Sequence, residues 1–312
     1  MVSETHDRQE PGESTGPGLL AEAGRFLFTG LREIRAVLWD ALDHLNWHDG
    51  VLLASGIAFA LVFAIFPFLI FLIALGGGIG GQDLANQIAE AALTIMPEHM
   101  VRTIEPALDR VIHPPGRGGL LTFGLLVTLV TITSAVEAIR DGLNRAYGCI
   151  DNRNFLKKRL GSLVFVLFGM VAIIVLAALA VAAPLTIQSV ARDAAATAWY
   201  PLLMESGRQV LLILVLLVMI ASTHLFLPAH ERRVRMIMPG VLLTLVLWWA
   251  AGWLFGLYLN RFTDYSAVYA GLGGIMALMF FLWILALIFQ FGAELNRAIA
   301  ERIAKHRRGE GR

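Results

Sequence analysis

Six long blocks of the sequence contain no Asp, Glu, Lys or Arg, and they restrict the possible folds more than any other feature. Together they hold 139 residues, so all 49 charged side chains fall among the other 173. A bilayer core about 30 Å thick is crossed by roughly 20 apolar residues in a helix, and each block is about that long. The sequence therefore predicts an all-α, polytopic membrane protein with six transmembrane helices. The predicted spans are 51–75, 118–136, 161–184, 209–228, 236–260 and 267–292.

Helices are the expected form of these blocks, because lipid offers no hydrogen-bond partner to unpaired backbone groups. The alternation of apolar and polar residues that marks a membrane β-barrel is missing from the sequence. With 57% apolar and 16% charged residues, the composition excludes a disordered chain and an ordinary soluble enzyme. Cys149 is the single cysteine, which excludes an intrachain disulfide.

Segments rich in lysine and arginine alternate along the chain with segments that contain few of them, and this pattern predicts the orientation of the chain. The N-terminal segment, the second and fourth connections and the C-terminal tail carry 19 of them, whereas the other three connections carry 6. Basic residues concentrate on the cytoplasmic side of a membrane. Both the N-terminus and the C-terminus are therefore predicted to be cytoplasmic, which agrees with an even number of spans.

Four further segments surround or connect the spans of the predicted transmembrane domain, 51–297. Residues 1–18 are rich in Pro, Gly, Ser and Glu and are predicted to be a disordered tail. Residues 19–50 carry apolar side chains at helical spacing and are predicted to form an amphipathic helix. That helix either lies in the membrane interface or packs on the cytoplasmic end of the bundle. Residues 76–117 are predicted to be an ordered outside loop, and 298–312 a basic cytoplasmic tail.

The sequence contains no pattern that points to catalysis, a metal ion or a cofactor. Its eight histidines form neither an H-x-H nor an H-E-x-x-H pattern, and no G-K-[ST] phosphate loop occurs. The net charge of +1 gives no global field that would attract nucleic acid. The chain is therefore expected not to be an enzyme, and to have no catalytic or metal residues, no cofactor and no nucleic-acid partner. His224, inside the fourth span, is interpreted as a hydrogen-bonding group between helices, with a proton relay as the alternative.

Two clusters of polar residues stand at the ends of the second and sixth spans. Ionisable groups this close to hydrocarbon usually face a partner or a wet cavity, so the clusters predict a cavity that binds substrate. Within the first cluster, Glu137 with Arg140 and Asp141 with Arg145 are spaced for pairing on one helix. Ordinary solvated helix ends are the alternative. The candidate substrate-binding residues are Glu137, Arg140, Asp141, Asn144, Arg145, Glu294 and Asn296.

Proline and glycine residues within the predicted spans indicate where helices bend or approach one another. Pro67 in the first span and Pro239 at the start of the fifth are candidate structural hinges, because proline removes a helix hydrogen bond. Gly252 and Gly256 in the fifth span form a small-residue pattern typical of close helix packing. The glycines within 76–81 are predicted either to make the chain flexible where it leaves the first span or to allow close helix packing beside it.

Five stretches of the sequence carry a family resemblance. The first is A-S-G-I-A-F-A-L-V-F-A-I-F-P at 54–67, and the second is A-I-R-D-G-L-N-R-A-Y-G at 138–148. M-P-G at 238–240, L-Y-L-N-R-F…Y-S-A-V-Y-A-G-L-G-G at 257–274 and W-I-L…F-G-A-E-L-N at 283–296 follow in order. Together they resemble the YihY/BrkB family of bacterial inner-membrane proteins, once called ribonuclease BN.

The resemblance extends over most of the chain and implies six spans, cytoplasmic termini and a location in the bacterial inner membrane. It also implies a transporter-type fold linked to envelope integrity, serum resistance and the export of solutes or lipid-like molecules. The leading hypothesis is a transporter or exporter of a small solute or lipid-related molecule, with the lipid bilayer and that substrate as partners. A non-transporting envelope scaffold is the alternative, and ribonuclease activity is the least favoured. Substrate identity, energy coupling and an oligomeric state stay open.

Overall fold

The computed structural model of the chain describes residues 17–95, 119–177, 199–230, 232–261 and 272–308. All regular structure in these ranges is helical. The helices are α1 (Pro17–Trp47), α2 (Gly50–Ile95), α3 (Gly119–Ala146), α4 (Phe155–Ala177), α5 (Trp199–Phe226), α6 (Val234–Arg261) and α7 (Leu272–Arg307).

Four of these helices are long and apolar enough to cross a bilayer, judged by length and composition. A fifth span arises if the end of α1 and the start of α2, which meet at an angle of 68°, count as one broken span. The prediction of an all-α protein with several transmembrane helices is therefore confirmed, whereas the count of six and the sidedness stay predictions. The four helical segments are Phe155–Leu176, Glu205–Phe226, Val234–Leu259 and Gly274–His306.

The outer faces of the spanning helices carry large apolar side chains that the protein itself leaves uncovered. On α6, Trp249 is 75% exposed and Trp253 is 62% exposed. In water, a contiguous apolar surface of this kind would be a liability for aggregation. Against lipid chains it is favourable, so the burial pattern agrees with the membrane assignment made from the sequence.

The helices follow the predicted spans but extend beyond several of them. The second predicted span, 118–136, lies at the start of α3, which continues for ten residues to Ala146. The last four predicted spans overlap α4, α5, α6 and α7 in order. Residues 178–198 and 262–271, which include parts of the third and sixth predicted spans, lie outside the described residues.

The amphipathic helix predicted over 19–50 is α1, and it packs on the bundle. Ala41 is fully buried in a cluster with Leu295 and Ala298 of α7. Arg302 of α7 also donates to Oδ2 of Asp40, through Nε at 2.8 Å and Nη2 at 2.6 Å. The structure thus favours packing on the bundle for this part of the helix. Of the predicted disordered tail 1–18, residues 1–16 lie outside the described residues.

The first part of α2 and its last turns pack against each other across a break. Gly81 has a φ of 72°, a left-handed conformation that glycine adopts without steric cost. Beyond it, residues 82–95 are helical and bury Ala85 and Ala89 against Ile73. A Cβ on Gly76 would lie 2.5 Å from Cδ1 of Ile88. The glycine-rich stretch therefore allows close packing, and the described portion of the predicted loop 76–117 is helix.

The two candidate proline hinges lie inside helices. Pro67 falls within α2, and Pro239 falls near the start of α6. The residue with non-helical dihedral angles inside α2 is Gly81. Whether either proline acts as a hinge stays a prediction.

Helices α6 and α7 cross at a contact between two glycines. A Cβ on Gly292 would lie 2.8 Å from the carbonyl oxygen of Gly240, and a Cβ on Gly240 would overlap the carbonyl of Gly292. At Gly252 and Gly256, by contrast, an added Cβ would meet none of the described residues within 4 Å. The predicted packing pattern was therefore assigned to the wrong glycines of α6, because spacing alone does not show which face meets a neighbour.

The largest buried cluster joins four helices next to this crossing. Leu143 of α3, Ile220 of α5, Val241 of α6 and Ala293 of α7 are 0–2% exposed and belong to it. These four helices therefore meet beside the later residues of the two predicted polar clusters, Asn144 on α3 and Asn296 on α7.

We predict that Gly240→Ala destabilises the protein by about 1–3 kcal/mol, because an added methyl group forces two backbones apart. The measurement is the thermal unfolding of the purified protein in detergent. Gly252→Ala on the same helix is the matched control. It should leave the unfolding temperature unchanged or slightly raised, since alanine inside a helix is more stable than glycine by roughly 0.5–1 kcal/mol. Equal unfolding temperatures for the two variants would contradict the crossing.

Candidate functional site

The end of α3 is fixed by a turn that directs Tyr147 into the bundle. Gly148 has a φ of 63° and occupies the left-handed position that commonly closes a helix. The backbone N–H of Cys149 donates to the carbonyl of Asn144 at 2.7 Å, and that of Gly148 to the carbonyl of Arg145 at 3.0 Å. This pair of hydrogen bonds ends the helix and leaves Tyr147 only 7% exposed.

The hydroxyl of Tyr147 links α3 to two other helices. It lies 2.7 Å from Nδ1 of His224 on α5 and accepts a hydrogen bond from Nδ2 of Asn296 on α7 at 3.2 Å. Oδ1 of the same asparagine accepts from the backbone N–H of Gly240 on α6 at 2.7 Å. Both His224 and Asn296 are buried, so four helices share one buried chain of hydrogen bonds.

The protons of this network follow from its donors and acceptors. Because the amide nitrogen of Asn296 only donates, the single proton of the Tyr147 hydroxyl is directed to Nδ1 of His224. Burial raises the pKa of Tyr147 to about 12, which keeps the phenol protonated at neutral pH. The neutral imidazole of His224 then carries its proton on Nε2, which has no hydrogen-bond partner within the described ranges. His224 thus joins helices by hydrogen bonding, as the sequence predicted.

The same end of α3 holds the connection between α5 and α6. Oδ1 of Asn144 accepts from the backbone N–H of Ala229 at 2.8 Å. The guanidinium of Arg232 lies 4.2 Å from the centre of the Tyr147 ring and donates to the Tyr147 carbonyl at 3.2 Å. A cation over an aromatic face is attracted by the ring quadrupole. These contacts dock the connection on the bundle.

A second buried polar group lies on a different face of α7, against the junction of α1 and α2. The side chain of Glu294 is 2% exposed, and its Oε1 lies 2.8 Å from Nδ1 of His48. Nη1 of Arg297 lies 3.2 Å from Nε2 of His48 and donates to the carbonyl of Ala146 at 3.2 Å. Arg297 also donates from Nε to Glu301 at 2.8 Å. The predicted site residue Glu294 is therefore held by a residue 246 positions away.

Two of the predicted site residues on α3 face α4. Oε1 of Glu137 pairs with Nη1 of Arg159 at 3.1 Å. Arg140 is 2% exposed and donates from Nη2 to Oγ of Ser162 at 2.8 Å. The pairing of Glu137 with Arg140 suggested by their spacing is thus replaced by contacts between helices.

The next two predicted residues lie toward the surface of the same helix end. Arg145 forms an ion pair with Asp49, which precedes α2, and Asp141 is exposed. Both members of the Arg145–Asp49 pair are about half exposed, so its contribution to stability is small. The suggested pairing of Arg145 with Asp141 is likewise replaced by a contact to another element.

The two helix ends that carry the predicted polar clusters meet directly. Gly142 of α3 faces Gln290 of α7, and a Cβ on Gly142 would lie 3.0 Å from Cδ of that glutamine. Asn144 and Asn296 converge on the region of Tyr147. The clusters are thus joined by packed side chains, and the residues on α3 divide between three different neighbours.

A partly open cavity of about 340 Å³ lies beside this packed region, between α2, α3, α4 and α5. Thr223 is the one side chain with a polar group among its described lining residues. None of the candidate substrate-binding residues lines it. Its wall includes Leu61 and Phe68 of α2, Ile132 and Ile139 of α3, Phe165 and Gly169 of α4, Met219 of α5, and Leu227 just after α5.

Sequence reasoning missed the partners that complete the polar network. His48, Tyr147 and Arg232 were not among the candidates, although each contacts a predicted residue or its neighbour. The position of Tyr147 three residues after Asn144, next to a glycine, was a usable signal for a helix end. The contacts of His48 and Arg232 span 246 and 85 positions, and no local pattern marks them.

Comparison with known proteins places this arrangement in a family. The family model described as Virulence factor BrkB matches residues 41–312, which include every helix that forms the polar network. The chain belongs to the virulence factor BrkB family. This BrkB-family chain is also similar to "Putative ribonuclease-like protein YfkH" of Bacillus subtilis (strain 168), with 28% identity over 258 residues. The similarity covers 82% of this chain and 92% of that relative. No solved structure matches the chain.

We predict that Asn296→Ala destabilises this BrkB-family protein by about 1–3 kcal/mol, because it removes the partner of two buried groups. Thermal unfolding in detergent is the measurement. Asn152→Ala, at an exposed position between α3 and α4, is the control and should unfold at the wild-type temperature. If Asn296→Ala unfolds at the same temperature as the control, the hydrogen-bond network does not hold the helices together.

Proposed function

We propose that this BrkB-family protein binds a small lipid-related molecule and moves it, or helps to move it, across the bacterial inner membrane. We also propose that it is not an enzyme. The observation that supports the proposal best is the apolar cavity between α2, α3, α4 and α5. The cavity favours a lipid-related molecule over a polar solute, because its described wall offers one hydroxyl and no charge.

Hydrocarbon is the occupant that suits this cavity. An apolar space stays dry, because a buried water needs several polar partners. An unfilled space also loses the dispersion contacts of the atoms that line it. A lipid chain restores those contacts without displacing any polar group.

Basic residues near one end of the cavity complement an anionic head group. Four basic residues lie within seven positions between α3 and the first turns of α4: Arg153, Lys157, Lys158 and Arg159. Part of their charge is balanced, since Arg159 pairs with Glu137, and Lys158 lies 3.8 Å from Asp151. Phe165, which lines the cavity, follows Lys158 by seven residues, or about 10 Å along a helix. Chain and head group can therefore bind at neighbouring levels of α4.

Six spans with cytoplasmic termini complete the proposal. The distribution of 19 basic residues against 6 supports this orientation. It puts the basic segment before α4 on the cytoplasmic side, where it would meet a head group at the inner leaflet. The candidate residues Glu137 and Arg140 border that segment, whereas Glu294 and Asn296 lie deeper in the bundle.

A non-transporting scaffold is the second candidate, supported by exposed tryptophans on α1. Trp39 is 65% exposed and Trp47 is 84% exposed, and aromatic residues of this kind are enriched at protein interfaces. A protein of this type would not accelerate the movement of lipid between leaflets. The lipid-movement assay that follows therefore separates the two candidates.

We predict that Gly169→Phe abolishes lipid movement, because the new ring occupies the cavity. An added Cβ at Gly169 meets nothing within 4 Å, so the substitution enters open space. The assay follows fluorescent phosphatidylglycerol between the leaflets of vesicles that contain the purified protein. Wild-type protein should accelerate this movement over protein-free vesicles.

The matched control for this experiment is Gly252→Phe. Gly252 is also surrounded by open space, but it lies on α6 and does not line the cavity. It should retain wild-type rates. Equal rates for the two variants, or a wild-type rate no faster than protein-free vesicles, would overturn transport of this lipid. Cleavage of added RNA by the purified protein would instead support the activity in the name of the Bacillus subtilis relative.

We predict that reporters fused to the C-terminus behave as cytoplasmic, because the tail after α7 is basic. A green fluorescent protein fused there should fluoresce, and alkaline phosphatase fused there should be inactive. Phosphatase inserted within 185–208, a connection with two basic residues, should be active. Activity of the C-terminal phosphatase would contradict the orientation.

A further inference from the structure

The carboxyl group of Glu294 is buried, and one of its two oxygens lacks a hydrogen-bond partner among the described residues. Oε1 lies 2.8 Å from Nδ1 of His48, while Oε2 has no hydrogen-bond partner in the part of the chain that the structure describes. A buried carboxylate with incomplete hydrogen bonding is costly. Structural packing alone gives no reason for an acid here, since glutamine would fill the same volume without charge.

The ring of His48 is oriented for proton exchange with this carboxyl group. Arginine only donates hydrogen bonds, so Nε2 of His48 accepts from Nη1 of Arg297, 3.2 Å away. The imidazole is therefore neutral, and its proton is on Nδ1, directed at Oε1 of Glu294. The one proton of the ring thus already lies on the line between the two groups.

A series of titratable side chains leads from the surface to Glu294 with falling exposure. Glu301 is 40% exposed, His44 is 27% exposed and His48 is 18% exposed, whereas Glu294 is 2% exposed. Oε2 of Glu301 lies 3.8 Å from Nε2 of His44, and the rings of His44 and His48 are 5.8 Å apart. Each member carries an ionisable side chain, and each lies next to the following one.

Charged groups from every neighbouring element surround this series. Arg297 of α7 contacts both His48 and Glu301. Arg145 of α3 and Asp49, at the junction of α1 and α2, neutralise each other nearby. Arg297 therefore supplies the positive charge closest to the carboxyl group. Its guanidinium contacts Nε2 of His48, the ring nitrogen that faces away from Glu294.

We propose that Glu294 is a proton-binding site, filled from the surface near the C-terminal end of α7 through Glu301, His44 and His48. Nε2 of His48 first takes up a proton from the outer side when Arg297 moves away from it, so that the ring becomes an imidazolium. In the transfer step the Nδ1–H bond of this imidazolium breaks and an O–H bond forms on Oε1 of Glu294, which leaves a neutral imidazole with its proton on Nε2. One proton is transferred and no electron moves. The proposal does not depend on lipid transport, because proton binding is measured on the purified protein alone.

Infrared difference spectroscopy of the full-length protein in lipid nanodiscs tests the site. The C=O stretching band of a protonated carboxyl group should appear as the pH is lowered. That band should be lost in Glu294→Gln and kept in Glu205→Gln, which removes an exposed carboxyl group of α5. A spectrum unchanged by Glu294→Gln would overturn the proposal.

The path is tested by the rate at which this band shifts after transfer from H₂O to D₂O. His48→Gln keeps a polar side chain but removes the shuttle, and it should slow the shift by an order of magnitude or more. His44→Gln, at a more exposed position, should slow it as well and serves as the deciding variant if His48→Gln does not fold. Wild-type exchange rates in folded His48→Gln, or in His44→Gln in its place, would overturn the path.

Discussion

The hydroxyl of Tyr147 is the contact on which the rest of the bundle depends. It joins α3 to His224 of α5 and to Asn296 of α7, and Asn296 continues the link to the backbone of α6. Within a bilayer, helices gain little by hiding apolar surface from one another, since lipid chains are equally apolar. A buried hydrogen-bond chain and close glycine contacts therefore specify which helices are neighbours. Arg232 covers the tyrosine ring from outside and extends this network to the α5–α6 connection.

The sequence predicted the class of the fold well because charge exclusion is a local signal. Blocks without ionisable residues locate the helices but not their ends, since α5 begins ten positions before its predicted span and α7 ends fifteen positions after its own. The packing of those helices depends on which face meets which, and that information is not local. Gly252 and Gly256 have the expected spacing yet face open space, whereas the crossing uses Gly240 and Gly292, which lie on separate helices.

For the candidate site, position at a span end drew attention to Asn144, Glu294 and Asn296. The structure shows that all three are buried and hydrogen-bonded, while their part in binding a substrate stays a prediction. Pairing within α3 was the wrong expectation, because partners on other helices displace the neighbours at helical spacing. His48 contacts Glu294 across 246 positions, and only the folded chain shows that the two form a pair.

The glycine crossing of α6 and α7 lies apart from the cavity. The backbones of the two helices are in direct contact at Gly240 and Gly292, and α1 is attached to α7 through Asp40 and Arg302. The described cavity wall is formed by α2, α3, α4, α5 and Leu227 and contains no residue of these three helices. A substitution that fills the cavity therefore leaves the close backbone contact of α6 and α7 untouched.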